Sequence, residues 1–77
     1  MDITVKLSNS MLLIYEDKKE TEKLVIDKPM TVNEILMEIG VNPILAPMIL
    51  IDSKRVGKNH IIDSNELITV IGPLAGG

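Results

Sequence analysis

The first thirty residues carry the apolar pattern of two β-strands. Residues 2–7 alternate polar and apolar side chains, a period of two that is typical of a strand with one buried face. A second apolar segment at 24–26 is followed by Pro29, and it predicts a strand antiparallel to the first. Residues 16–23 mix both charges and are interpreted as a solvated loop or hairpin tip. The run Met11–Tyr15 is too short to assign to a helix or a strand.

The segment after Pro29 predicts a helix with both ends marked. Thr31 and Glu34 have the spacing of a capping box, in which the threonine hydroxyl accepts from a helical N–H and the glutamate accepts from the threonine N–H. The apolar positions i, i+3, i+4 and i+7 form one helix face: Val32, Ile35, Leu36 and Ile39. Gly40 and Pro43 are predicted to end the helix, since glycine adopts the left-handed conformation easily and proline cannot continue the backbone hydrogen bonds.

The second half of the chain predicts further strands. Met48–Ile51 reads as a strand buried on one or both faces, followed by a turn at 52–55 and a brief extended piece. A polar turn at 63–66 leads into Leu67–Ile71, a strong strand signal. His60 has no Cys, His or carboxylate at ligand spacing, so it is interpreted as a surface residue rather than a metal ligand or base.

The order of these elements predicts an α+β fold. Strand, strand, helix, strand, short strand and strand give a mixed sheet of four to five strands with one main helix across it, which is the β-grasp arrangement. Residues 1–72 are predicted to form this domain, and residues 73–77 an extended, flexible tail, because Pro73 lacks the N–H needed to continue pairing. Four residues after Pro73 reach at most about 14 Å.

Composition narrows the classes of function. The chain has 77 residues, with 8 Lys and Arg against 11 Asp and Glu, and this net charge of -3 argues against nucleic-acid binding. Without cysteine it has neither disulfides nor thiolate chemistry. No apolar run reaches the roughly 18 residues of a membrane span, and the start does not resemble a signal peptide, so a cytoplasmic protein is expected. An enzyme is not expected, because clustered carboxylates and a partnered histidine are missing from the sequence pattern.

The carboxylate of Gly77 is the candidate working group. A carboxylate is a poor acyl donor until it is activated, and transfer to ATP gives an acyl-adenylate with a good leaving group. A sulfur nucleophile then forms a thiocarboxylate, whereas an amine forms an amide. Gly76 and Gly77 have no Cβ, so the backbone can enter a narrow channel beside the nucleotide.

Two segments carry a resemblance to a known family, MTVNEILMEIGV at 30–41 and DSNELITVIGPLAGG at 63–77. They resemble the molybdopterin-synthase small subunit and thiamine sulfur-carrier superfamily, the MoaD/ThiS family of ubiquitin-like proteins. The resemblance implies that an adenylating enzyme of the ubiquitin-activating type, using ATP and Mg, activates Gly77. The thiolated chain would then donate sulfur to a synthase or thiolase in molybdopterin or thiamine biosynthesis or tRNA thiolation. The chain would be the carrier and substrate, or the non-catalytic subunit of a synthase, with no bound cofactor or metal.

The final strand offers partner contacts. Alternation places Leu67 and Ile71 on one face and Ile68 and Val70 on the other. Parity with ubiquitin, counted from the terminal glycines, favours Ile68 and Val70 in the core. The predicted partner-binding residues are Leu67, Ile71, Pro73, Leu74 and Ala75.

Two other functions stay open at this point. A ubiquitin-like modifier would be joined to lysines of other proteins through the same Gly77, and a β-grasp binding module would have an inert tail. The receiving pathway is also open, because Gly72-Pro73 stands where the small subunits often have two prolines, and thiamine carriers tend to lack that proline.

Overall fold

The computed structural model describes residues 1–73, and the predicted tail residues Leu74 to Gly77 lie outside them. The elements in chain order are β1 (Asp2–Leu7), α1 (Asn9–Ile14), β2 (Thr21–Val25), β3 (Met30–Thr31), α2 (Val32–Glu38), a 3-10 helix (Pro43–Leu45), β4 (Met48–Ile51), β5 (Lys54–Val56), β6 (Ile61–Ile62) and β7 (Glu66–Ile71).

Five strands form one mixed sheet in the order β2-β1-β7-β4-β5. The first and last long strands, β1 and β7, are parallel neighbours at its centre, and the other pairs are antiparallel. A separate two-residue ladder joins β3 to β6. The predicted mixed sheet with one main helix is confirmed, and the final strand β7 lies at its centre beside β1. This is the β-grasp arrangement.

The predicted capping box at the start of α2 is confirmed. Glu34 N donates to Thr31 Oγ1 at 3.1 Å, and Thr31 N donates to Glu34 Oε1 at 3.0 Å. The backbone N–H and the hydroxyl of Thr31 both donate to this carboxylate, so the pKa of Glu34 lies below its usual value. At the other end, Gly40 has a φ of 82°, the left-handed conformation that ends the helix.

The core lies between the helices and the sheet, and it is apolar throughout. Alternate residues of β1, β4 and β7 pack with one face of α2. The fully buried larger side chains are Ile3, Val5, Leu7, Met11, Val32, Ile35, Leu36, Val41, Ile49, Ile62, Ile68 and Val70. No polar or charged residue in the range 1–73 is buried. Any chemistry of the described domain must therefore take place at its surface.

Two sequence assignments need correction. The run at 11–15, left unassigned, belongs mostly to the six-residue helix α1, which buries Met11. Part of the predicted solvated loop, from Thr21 onward, is strand β2, because its backbone pairs with β1 while its polar side chains stay at the sheet surface.

The turn predicted at 52–55 is also shorter than expected. Only Asp52 and Ser53 turn, with φ of 50° and 64°, and Lys54 and Arg55 already pair with β4 in strand β5. Positive φ at both central residues is the mark of a two-residue hairpin, which usually has glycine or asparagine there. The residues Asp52 and Ser53 do not have this signature, so the sequence does not indicate the hairpin.

Candidate functional site

One face of the five-stranded sheet is turned away from α2 and the core. Residues that pair directly across neighbouring strands lie on the same face, so the registers identify its members. We call this the open face; its side chains are Thr21, Lys23, Val25, Asp2, Thr4, Lys6, Leu67, Thr69, Ile71, Met48, Leu50 and Arg55. All of them are half-buried or exposed.

The centre of the open face is apolar on β7 and β4. We call Leu67, Ile71, Met48 and Leu50 the apolar patch. Leu67 is 53% exposed, and the other three are half-buried. Met48 pairs with Ile71 across the two strands, at the end of β7 where the chain leaves the sheet. The patch therefore adjoins the point from which the tail departs.

Cationic side chains flank the apolar patch on both sides. Lys6 on β1 pairs with Thr69, and Arg55 on β5 pairs with Leu50. With Lys23 on β2, the open face has three cations and a single acidic residue, Asp2, although the whole chain has a net charge of -3. The remaining surface is correspondingly acidic. A partner with an apolar centre and acidic edges would match this face.

The end of β7 is held by the segment that joins β1 to α1. Ser8 N donates to the carbonyl oxygen of Val70 at 3.0 Å, and Gly72 N donates to Ser8 Oγ at 3.2 Å. Gly72 is buried and Pro73 is exposed. We call Gly72 and Pro73 the tail root, because the predicted tail begins there.

The predicted site residues divide into two groups. Leu67, Ile71 and Pro73 are described: the first two lie on the open face, and Pro73 follows directly at the tail root. The prediction that Ile68 and Val70 face the core is confirmed, since both are fully buried. The other predicted residues, Leu74, Ala75, Gly76 and Gly77, lie outside the described residues, and the functional roles stay predictions.

Several residues of this site were not found from the sequence. Met48 and Leu50 have a detectable signal, because they alternate with the buried Ile49 and Ile51. Their position beside β7 depends on long-range pairing, which a local pattern does not contain. Ser8 has no such signal, since a serine before a short apolar run is ordinary turn chemistry.

Metal-ligating side chains do not cluster in the part of the chain that the structure describes. Within residues 1–73, no three His, Cys, Asp or Glu side chains come together as metal ligands. His60 is exposed, and its backbone N–H donates to the Gly57 carbonyl in a turn. None of the helices in this part of the chain is long and apolar enough to cross a membrane.

Comparison with solved structures defines the class of fold. The chain has the ubiquitin-like β-grasp fold, in agreement with the prediction. It is similar in structure to SAMP1 from Haloferax volcanii, with a TM-score of 0.74 over 100% of both chains and 15% sequence identity. At that identity the likeness concerns the fold alone.

Comparison at the level of sequence gives no family. No protein-family model matches the chain, and no curated protein matches it. The resemblance to the molybdopterin-synthase small subunit and thiamine sulfur-carrier superfamily therefore stays a prediction.

Proposed function

We propose that this protein is a sulfur carrier whose reactive group is the carboxylate of Gly77. An adenylating enzyme of the ubiquitin-activating type, using ATP and Mg, would activate that carboxylate, and a sulfur donor would convert it to a thiocarboxylate. The sulfur would then pass to an acceptor in cofactor biosynthesis or tRNA thiolation. The protein is the substrate and carrier in this scheme, and its partner supplies the catalytic groups.

The observation that carries the proposal is the position at which the chain leaves the sheet. The central strand β7 ends at Ile71, next to Met48 in the apolar patch, and Pro73 cannot continue the ladder because it has no N–H. A partner that covers the apolar patch would thus lie next to the tail root. Five residues after Gly72 extend at most about 17 Å, enough for Gly77 to reach a buried active site in that partner.

In the proposed chemistry, the catalytic groups belong to the partner. In the first step, a Gly77 carboxylate oxygen attacks the α-phosphorus of ATP, and pyrophosphate leaves. In the second, a hydrosulfide-level donor attacks the carbonyl carbon, a C–S bond forms, and the C–O bond to AMP breaks. Both steps require groups that bind ATP and stabilise negative charge, and the activating enzyme would supply them.

Docking on the open face can be tested with a matched pair of variants. Leu67 in the apolar patch and Ile61 in β6 are equally exposed, at 53% and 52%, but Ile61 lies outside the five-stranded sheet. Leu67→Lys places a charge in the proposed interface, and Ile61→Lys places the same charge elsewhere. The assay is ATP–pyrophosphate exchange by the ubiquitin-activating-type enzyme of the same organism, with each full-length variant as substrate.

The expected result is a KM for Leu67→Lys raised by about tenfold or more, because burying an apolar side chain of this size in an interface is worth roughly 1.5 kcal/mol or more. Ile61→Lys should have the KM of the unmodified chain, and deletion of Gly77 should abolish exchange. Equal KM values for the two lysine variants would remove the open face as the docking site. Exchange that persists without Gly77 would contradict the proposed function itself.

A further inference from the structure

Ser8 directly follows Leu7, whose pairing with Val70 is the last of the parallel ladder between β1 and β7. Its backbone N–H donates to the Val70 carbonyl at 3.0 Å. In a parallel ladder, a residue whose N–H donates to one residue of the neighbouring strand also accepts, at its own carbonyl, from the N–H two positions further along that strand. The next hydrogen bond would therefore run from the Gly72 N–H to the Ser8 carbonyl.

That carbonyl is already used by α1. Leu12 N donates to the Ser8 carbonyl oxygen at 3.1 Å, which begins the helix. The Gly72 N–H donates instead to Ser8 Oγ, at 3.2 Å. The hydroxyl of Ser8 thus takes the place of its own carbonyl and extends the ladder by one hydrogen bond.

The Ser8 hydroxyl accepts from Gly72 instead of capping the helix α1. Ser8 is the N-cap residue of α1, where a serine oxygen ordinarily accepts an N–H of the first helical turn, but it makes no such hydrogen bond. Ser10 Oγ lies 3.0 Å from Ser8 Oγ, so the two hydroxyls form a hydrogen bond that restrains the Ser8 side chain. The hydroxyl therefore accepts its hydrogen bond from the residue that follows β7 and none from the first turn of the helix.

Gly72 also lies close against α1. A Cβ at this position would lie 2.8 Å from Met11 Sδ and 2.9 Å from Ser10 Oγ, closer than real Cβ contacts come. Pro73, which follows, has no N–H. The Gly72 N–H is thus the last backbone donor of the described chain, and it is buried and bound to Ser8.

We propose that the Ser8 hydroxyl is a positioning group for the tail: by holding Gly72, it sets the direction in which Gly77 enters the activating enzyme. This role rests on the proposed function above. If Gly72 is not held, the five residues from Pro73 to Gly77 can leave the sheet in more directions, and only some of these lead into the active site of the enzyme. A chain that docks with its tail in a wrong direction does not react, which lowers kcat.

The test compares Ser8→Ala, Ser8→Thr and the exposed surface control Ser64→Ala in the full-length chain. The first measurement is ATP–pyrophosphate exchange with the ubiquitin-activating-type enzyme. Ser8→Ala is expected to lower kcat by about 3- to 10-fold, the factor that one neutral hydrogen bond is worth, with KM unchanged because the open face is intact. Ser8→Thr should restore kcat, since it keeps the hydroxyl, and Ser64→Ala should match the unmodified chain. A purely structural role would reduce the amount of folded protein and raise the apparent KM instead.

The second measurement needs no enzyme. Hydrogen exchange followed by NMR should show the Gly72 amide protected in the unmodified chain and in Ser8→Thr, and exchanging about tenfold faster or more in Ser8→Ala. The Ile68 amide, inside β7, should be unchanged in all three.

The outcomes separate the inference from the function on which it rests. An unmodified chain with no exchange activity would overturn both together. Activity in the unmodified chain with an unchanged kcat in Ser8→Ala would overturn the positioning role alone. A Gly72 amide that exchanges as fast as an exposed one in the unmodified chain would also overturn it, whether or not the alanine variant folds.

Discussion

Replacing Gly72 by alanine tests how tightly the end of β7 is enclosed. The added methyl group would lie 2.8 Å from Met11 Sδ and 3.1 Å from Met11 Cγ, and Met11 is fully buried. Overpacking of this kind costs about 1–3 kcal/mol. Restricting the unfolded chain returns about 0.4–1 kcal/mol, because the φ of Gly72 is not in the left-handed region. The net expectation is a loss of about 1–2 kcal/mol in the free energy of unfolding.

The chain supplies a matched control at Gly57. A Cβ there would meet nothing within 4 Å, and its φ is also outside the left-handed region, so Gly57→Ala should be neutral or stabilising by up to about 1 kcal/mol. Urea unfolding followed by far-UV circular dichroism measures both variants. For a domain of this size the Gly72 variant should also lose about 4–16 °C in Tm. Equal midpoints for the two alanine variants would refute the close approach of α1 to the tail root.

Further predictions concern α2 and the core. Thr31→Ala should lower the free energy of unfolding by about 1 kcal/mol in urea titrations, since it removes the capping hydroxyl. The lowered pKa of Glu34 means that its contribution to stability is complete above the usual pKa of a glutamate and is lost as the pH falls through the lowered value. The difference in urea midpoint between the unmodified chain and Glu34→Gln should therefore shrink as the pH falls below that usual value, and a constant difference would contradict the ionic cap. Gly40→Ala, forced to a φ of 82°, should lose about 1–2 kcal/mol, and Gly40→Asn should recover part of it. Leu36→Ala should lose about 2–5 kcal/mol, because Leu36 is fully buried, and a loss below about 1 kcal/mol would contradict its core position.

Local chemistry made the main helix predictable. The capping box at Thr31 and Glu34 depends on residues three apart, so its signal is contained in a short window. For β7, alternation separates the two faces of the strand but does not say which one is buried. Parity with ubiquitin favoured Ile68 and Val70, and both are buried.

Other elements are stabilised by residues that are distant in sequence. The strands β3 and β6 are two residues each, and they exist because Met30 and Ile62 pair across the fold. The helix α1 has no side-chain cap and only six residues, so its stability comes from burying Met11. Short elements of this kind are held by tertiary contacts, and patterns of period 2 or 3.6 do not reveal them.

The candidate site was likewise predictable only where its signal is local. The apolar character of Leu67 and Ile71 is visible in the sequence, but the patch is completed by β4, which is brought alongside by sheet pairing. The contact between Ser8 and Gly72 joins residues 64 apart in sequence and depends on the start of α1. A search by local motifs could not have found it.

Whether sulfur is carried on Gly77 can be read from the intact mass of the full-length protein. The purified chain is incubated with the ubiquitin-activating-type enzyme, ATP, Mg and a sulfide donor, alongside a chain that lacks Gly77. We expect one terminal oxygen to be replaced by sulfur in the full-length chain, and the shortened chain to keep its mass. An unchanged mass for the full-length chain, under conditions in which the enzyme forms its adenylate, would contradict the carrier function.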